Sequence, residues 1–145
     1  METIIAKIRH DVDSENENKS IYKKAGDILK QGGLVAFPTE TVYGLGGNAL
    51  DSEASSKIYA AKGRPSDNPL IVHIADIEAL YKLSIDVNES ALKLAKHFWP
   101  GPLTMILKKS AIVPETITGG LNTVAIRMPS HPVAKRLIQE SGIYI

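Results

Sequence analysis

Lys62-Gly-Arg64 sets two cations one residue apart, directly ahead of Pro65-Ser-Asp-Asn-Pro69. A lysine point charge beside an arginine fork is a common means of holding phosphates and carboxylates. The same pair would also complement the negative end of a helix dipole, so alone it is a weak signal. A second group lies in Pro38-Thr-Glu-Thr-Val-Tyr-Gly-Leu-Gly-Gly47. Hydroxyls Thr39 and Thr41 flank the Glu40 carboxylate, the Tyr43 phenol follows, and then come Gly44, Gly46 and Gly47. Hydroxyls, a phenol and closely approachable glycine backbone suit an oxygen-rich, anionic ligand. The alternative is a plain strand–turn–strand in which Thr39 and Thr41 satisfy turn amides and Tyr43 is core. His73 and Arg127 each stand near the end of an apolar run. His73 reads either as a hydrogen-bonded core residue or as a group facing a ligand. Arg127 is either paired to a carboxylate or aimed at an anionic ligand, and the second is the expectation.

The elements that must position these residues follow from hydrophobic period and breakers. Residues 3–8 read as a short first strand and 11–18 as a polar loop. Ser20 begins a helix with Ile21, Ala25, Ile28 and Leu29 on one face, stopped by Gly32 and Gly33. Residues 34–37 form a buried strand that Pro38, lacking an N–H, must end. Asp51 or Ser52 caps a helix with Ala54, Ile58 and Ala61 on one face, ended by Gly63 and Pro65. Residues 70–74 are a second buried strand, and 75–84 a short helix and loop. Asn88 opens a helix with Ala91, Ala95, Phe98 and Trp99 aligned, ended by Pro100-Gly-Pro102. Strands at 103–107 and 123–127 flank an irregular connection, 108–122. Ser130 caps a last helix carrying Ala134, Leu137 and Ile138, closed by Gly142. Residues 143–145 are apolar and read as the start of a strand whose neighbours lie outside the sequence. Strands alternating with helices predict a layered α/β fold. In such sheets ligands sit outside the carboxyl ends of the strands.

The 145 residues, 43% hydrophobic and 23% charged, are enough for one domain with a real core, so residues 1–145 are read as a single domain. A net charge of +1 calls for no nucleic-acid partner. Without cysteine there is no disulfide or thiolate chemistry. No apolar run is long enough to span a bilayer, and no signal-peptide layout is present, so the expected location is cytoplasmic. There is no P-loop, no well-placed GxGxxG and no H-E-x-x-H, and no carboxylate cluster has transition-metal spacing. Any nucleotide site must be of another design.

Four blocks together are specific. They are Phe37-Pro-Thr-Glu-Thr-Val-Tyr-Gly-Leu-Gly46, Ile58-Tyr-Ala-Ala-Lys-Gly-Arg-Pro-Ser-Asp-Asn-Pro-Leu-Ile-Val-His73, Trp99-Pro-Gly-Pro-Leu-Thr104 and Val124-Ala-Ile-Arg-Met-Pro129. In this order and spacing, from about residue 20 to 145, the chain resembles the YrdC/Sua5 family of threonylcarbamoyl-AMP synthases. The resemblance implies a three-layer fold around a twisted mixed sheet with a concave, positively charged cleft. It implies that L-threonine and bicarbonate form a carbamate that attacks the α-phosphorus of ATP, giving threonylcarbamoyl-AMP and pyrophosphate. Mg2+ would bridge the phosphates, and a downstream transferase system would pass the threonylcarbamoyl group to adenosine 37 of tRNA. By position, Lys62 and Arg64 match the pair that contacts nucleotide phosphates, and Asn68 joins that side. Thr39, Tyr43, His73, Thr123 and Arg127 match positions on the threonine and carbamate side.

The family pattern continues past residue 143 with a Pro-Ser-Ala-Asn-x-Ser-Gly block, and Tyr144 stands where proline is usual. The expectation is therefore a domain lacking its last strands and one wall of the nucleotide site, with chemistry impaired more than threonine binding. Two other functions compete: a double-stranded RNA-binding module, and an inactive module that keeps only threonine or nucleotide binding.

Overall fold

Polar residues, not apolar ones, open the first helix. The computed structural model describes residues 2–145. Residues 3–8 form no strand. The backbone after them is held by Asn18, whose Oδ1 accepts from the Arg9 N–H at 3.1 Å and whose Nδ2 donates to the Arg9 carbonyl at 2.7 Å. A 3-10 turn, Val12–Ser14, leads directly into α1, Glu15–Lys30, so the expected loop is in part the first turns of a helix. Glu15 and Glu17 complement the positive end of its dipole. Neither is apolar, so hydrophobic period could not reveal them.

β1 (Val35–Phe37) pairs antiparallel with β2 (Gly44–Gly46), and residues 38–43 make the turn between them. α2 (Ser52–Lys62) is capped by Asp51, which accepts from the Glu53 N–H at 2.9 Å. Then come β3 (Ile71–His73), α3 (Ala79–Leu83), α4 (Glu89–Phe98) and β4 (Thr104–Lys108). α5 (Glu115–Thr118) is a short helix inside the stretch expected to be irregular. β5 (Thr123–Arg127) and α6 (Pro132–Ser141) complete the order. The cap of α6 is His131 and not Ser130: Pro132 takes the first helical position, and His131 Nδ1 accepts from the Val133 N–H at 3.2 Å. Among the described residues no helix is long and apolar enough to cross a membrane.

β5 lies between parallel β3 and antiparallel β4, so the sheet is mixed, as expected. Alternation divides its faces. Val72, Met105, Val124 and Ile126 point into a core shared with Leu80, Leu83, Ala95 and Trp99 of the α3 and α4 region. Ile71, His73, Ala125 and Arg127 occupy the other face by register. A second core joins α1 and α6 to β1 through Tyr22, Leu29, Phe37, Leu137 and Ile138.

Residues 143–145, expected to start a strand, find backbone partners within the chain. His73 and Ile145 exchange both backbone bonds, at 2.6 and 3.2 Å, the pattern of an antiparallel pair. The Ala49 N–H donates to the Tyr144 carbonyl at 2.9 Å. The segment thus bonds on both sides and ties the residues after β2 to β3. Ile145 is buried, and its side chain meets the place where a Cβ on Gly46 would stand; Phe37 lies 2.8 Å from the same point. Gly46→Ala must therefore push both Ile145 and Phe37 aside. The expected loss is about 1–3 kcal/mol in urea unfolding.

Candidate functional site

The end of α2 carries the two cations. Gly63 takes φ 58°, a left-handed cap open to glycine, and turns the chain out of the helix. Lys62 is the last helical residue. Arg64 is held by its own turn: its Nη2 donates to Asn68 Oδ1 at 2.6 Å and to the Pro69 carbonyl at 2.8 Å. Asn68, expected on the nucleotide side, thus orients Arg64. Tyr59 fastens the turn to α5, donating to the carbonyls of Asn68 and Thr116, each at 3.1 Å. Among the described residues neither Lys62 nor Arg64 has a carboxylate within ion-pair distance.

Both cations line a cleft of about 150 Å³ with the backbone of Gly44 to Gly47, Ile71 and His73. His73 Nδ1 lies 3.3 Å from the Ile71 carbonyl. A carbonyl only accepts, so Nδ1 carries the proton and Nε2 is left as an acceptor. Burial pushes the imidazole below its ordinary range; the Ile71 bond opposes this, Arg127 adds to it and Glu40 opposes it. His73 is therefore neutral at pH 7. The sign for stability follows: the unfolded chain takes up a proton at His73 before the folded one does. Stability should fall as pH drops below the unfolded value of 6.5 and go on falling until the lower folded pKa is passed. Urea unfolding on either side of pH 6.5 should show this acid limb, and His73→Gln should reduce it.

Arg127, at the carboxyl end of β5, is the register partner of His73. Its carboxylate partner is Glu40, 87 residues away, with Nη2 donating to Oε1 at 2.7 Å. The ion-pair alternative for Arg127 is thus realised. Nη2 also donates to Thr41 Oγ1 at 3.3 Å. Burial would raise the Glu40 carboxyl, but the Arg127 hydrogen bond, the backbone N–H groups of Glu40 and His131 and the Arg127 charge together outweigh it and hold the group below its ordinary value. Thr39 organises the turn: its Oγ1 accepts from the N–H groups of Thr41 and Val42 and donates to the Val42 carbonyl at 2.6 Å. The turn-satisfying alternative holds for Thr39. It does not hold for Tyr43, which is 78% exposed rather than core. Thr123 stands apart: it opens β5 opposite Lys108, about 13 Å of strand from Arg127. In the sequence Glu40 is only a carboxylate between two hydroxyls, and no local pattern links it to a residue so distant in the chain.

A family model, Sua5/YciO/YrdC, described as telomere recombination, matches residues 27–145. The chain belongs to the Sua5/YciO/YrdC family. It is 60% identical over 117 residues to a threonylcarbamoyl-AMP synthase of Pyrococcus abyssi, covering 81% of this chain and 34% of that one. It is 56% identical over 135 residues to a threonylcarbamoyl-AMP synthase of Bacillus subtilis, covering 92% and 39%. The crystal structure of P. abyssi Sua5 complexed with L-threonine superposes with a TM-score of 0.85 at 56% identity, over 87% of this chain and 37% of that one. The expected YrdC-like fold is therefore present. The chain spans little more than a third of the length of these Sua5 and synthase relatives.

Proposed function

We propose that this Sua5/YciO/YrdC domain makes threonylcarbamoyl-AMP from L-threonine, bicarbonate and ATP, as a cytoplasmic nucleotidyltransferase serving tRNA modification. One observation carries the reading: Lys62 and Arg64 line the same cleft as His73, and His73 is the strand neighbour of Arg127. Cations for phosphates and a cation for a carboxylate are thus joined through a neutral imidazole. Arg127 holds the threonine carboxylate. His73 Nε2 accepts a hydrogen bond from the threonine nitrogen. His73 Nε2 takes the extra proton of the threonine ammonium; the neutral nitrogen then attacks the carbon of bicarbonate, water leaves with the second proton and the bicarbonate hydroxyl, and a carbamate forms. A carbamate oxygen then attacks the α-phosphorus and pyrophosphate departs. Lys62 and Arg64 stabilise charge on the phosphate oxygens as the bond to the leaving group breaks. The glycine backbone of β2 lets the nucleotide approach closely.

Mg2+ has no donor set of its own here. Among the described residues no three His, Asp or Glu side chains form a metal cluster, and the titratable groups lining the cleft are Lys62, Arg64 and His73. The residues do not fit a protein-held ion.

Pyrophosphate release from ATP that requires both threonine and bicarbonate tests the reading. Release independent of threonine would overturn it. Threonine and ATP binding without release would favour the binding-only alternative, and tight RNA binding with a steep salt dependence the RNA-binding one.

A further inference from the structure

We propose that Glu40 is a positioning residue for amino-acid recognition: it fixes the Arg127 guanidinium at the end of β5 and ties the 38–43 turn to it. The proposal rests on the threonine reading of the site. Three observations support it. The side chains of Arg127 and Glu40 are only 11% and 17% exposed, so water screens their 2.7 Å contact weakly. Both acceptors on Arg127 Nη2, Glu40 and Thr41, come from one turn, and Thr39 bonds that turn internally. The guanidinium and the turn carrying Thr39 and Tyr43 are therefore placed by the same bonds. The pair is also incomplete. Glu40 Oε2 and Arg127 Nε are buried without partners, so the fork is engaged at one nitrogen only.

Two planar groups in a purely structural pair would gain from engaging both edges. The single contact instead holds the guanidinium from the turn side. Among the described residues Arg127 Nη1 donates to no protein acceptor, and Arg127 adjoins the cleft through its strand neighbour His73, so this nitrogen is left for a ligand carboxylate. Arginine has large rotamer freedom. Without Glu40, Arg127 would keep its charge but lose its fixed direction, and the turn would lose its anchor to β5.

The test is Glu40→Gln, which keeps size and an acceptor oxygen but removes the charge. Calorimetry on the 145-residue chain should show the Kd for L-threonine raised at least tenfold, with the Kd for ATP unchanged and a cooperative melt retained. The Arg127 Nε–H resonance should exchange slowly in the parent and broaden in the variant. Glu40→Asp, which restores the charge, should recover part of the threonine affinity, whereas a merely structural role would move only the melt. Threonine affinity in Glu40→Gln equal to the parent's would overturn the proposal, as would equal losses for threonine and ATP. If the parent itself binds no threonine, the functional reading falls, and the Nε–H resonance decides separately whether Glu40 fixes Arg127. An unchanged resonance overturns that too.

Discussion

Arg127→Ala should abolish measurable threonine binding and cost the fold about 3 kcal/mol. Two separate terms produce these losses. A charge-assisted hydrogen bond to a carboxylate contributes roughly 1.5–3 kcal/mol, or about 10- to 150-fold in affinity. The stability cost comes from Glu40, which stays largely buried after its partner is removed. Breaking a buried pair from one side costs about 3–5 kcal/mol, and the partial exposure here places the effect at the lower end. Arg127→Lys separates the terms. An ammonium can still neutralise Glu40, so most stability should return. It cannot present a fork, so threonine affinity should return much less. Calorimetry and urea unfolding on both variants check this. Threonine affinity in Arg127→Ala equal to the parent's would place the carboxylate elsewhere.

The second large effect lies at the end of α2. Lys62→Ala and Arg64→Ala should each weaken ATP binding by roughly 10- to 150-fold, following about 1.5–3 kcal/mol per charged contact, and leave threonine affinity intact. Their costs to the fold should differ. Lys62 is exposed and makes no ion pair among the described residues, so its removal should change stability by less than about 0.5 kcal/mol. Arg64 holds Asn68 and the Pro69 carbonyl, so its loss should also loosen the turn into β3. Asn68→Ala should then mimic a weak form of Arg64→Ala, because Asn68 acts through that guanidinium. ATP affinity untouched in both cation variants would remove the phosphates from this end of the cleft.

What sequence could reveal here depended on how local the cause was. Gly63, Pro65 and Asn88 act on their own turns, and the boundaries they set were legible. The start of α1 was not, because Asn18 and Glu15 stabilise it through Arg9 and Arg136, contacts that no period displays. Residues 143–145 were legible as extended and apolar. Their pairing with His73 and Ala49 was not, because it depends on how the two sheets are brought together. The cluster at Arg127 shows the same limit. His73 and Arg127 could be singled out as ends of apolar runs, but their adjacency needs the parallel register of β3 and β5. Thr123 shares the strand and face of Arg127, yet strand rise alone carries it to the far end.

Nucleotide phosphates at the end of α2 and an amino-acid carboxylate at Arg127 are expected to meet on either side of His73. A crystal structure of this chain with L-threonine and a non-hydrolysable ATP analogue tests this most directly. The prediction is a threonine carboxylate within hydrogen-bond distance of Arg127, its nitrogen at His73 Nε2, and phosphate oxygens against Lys62 and Arg64. Threonine bound away from Arg127, or phosphates bound away from the end of α2, would contradict it.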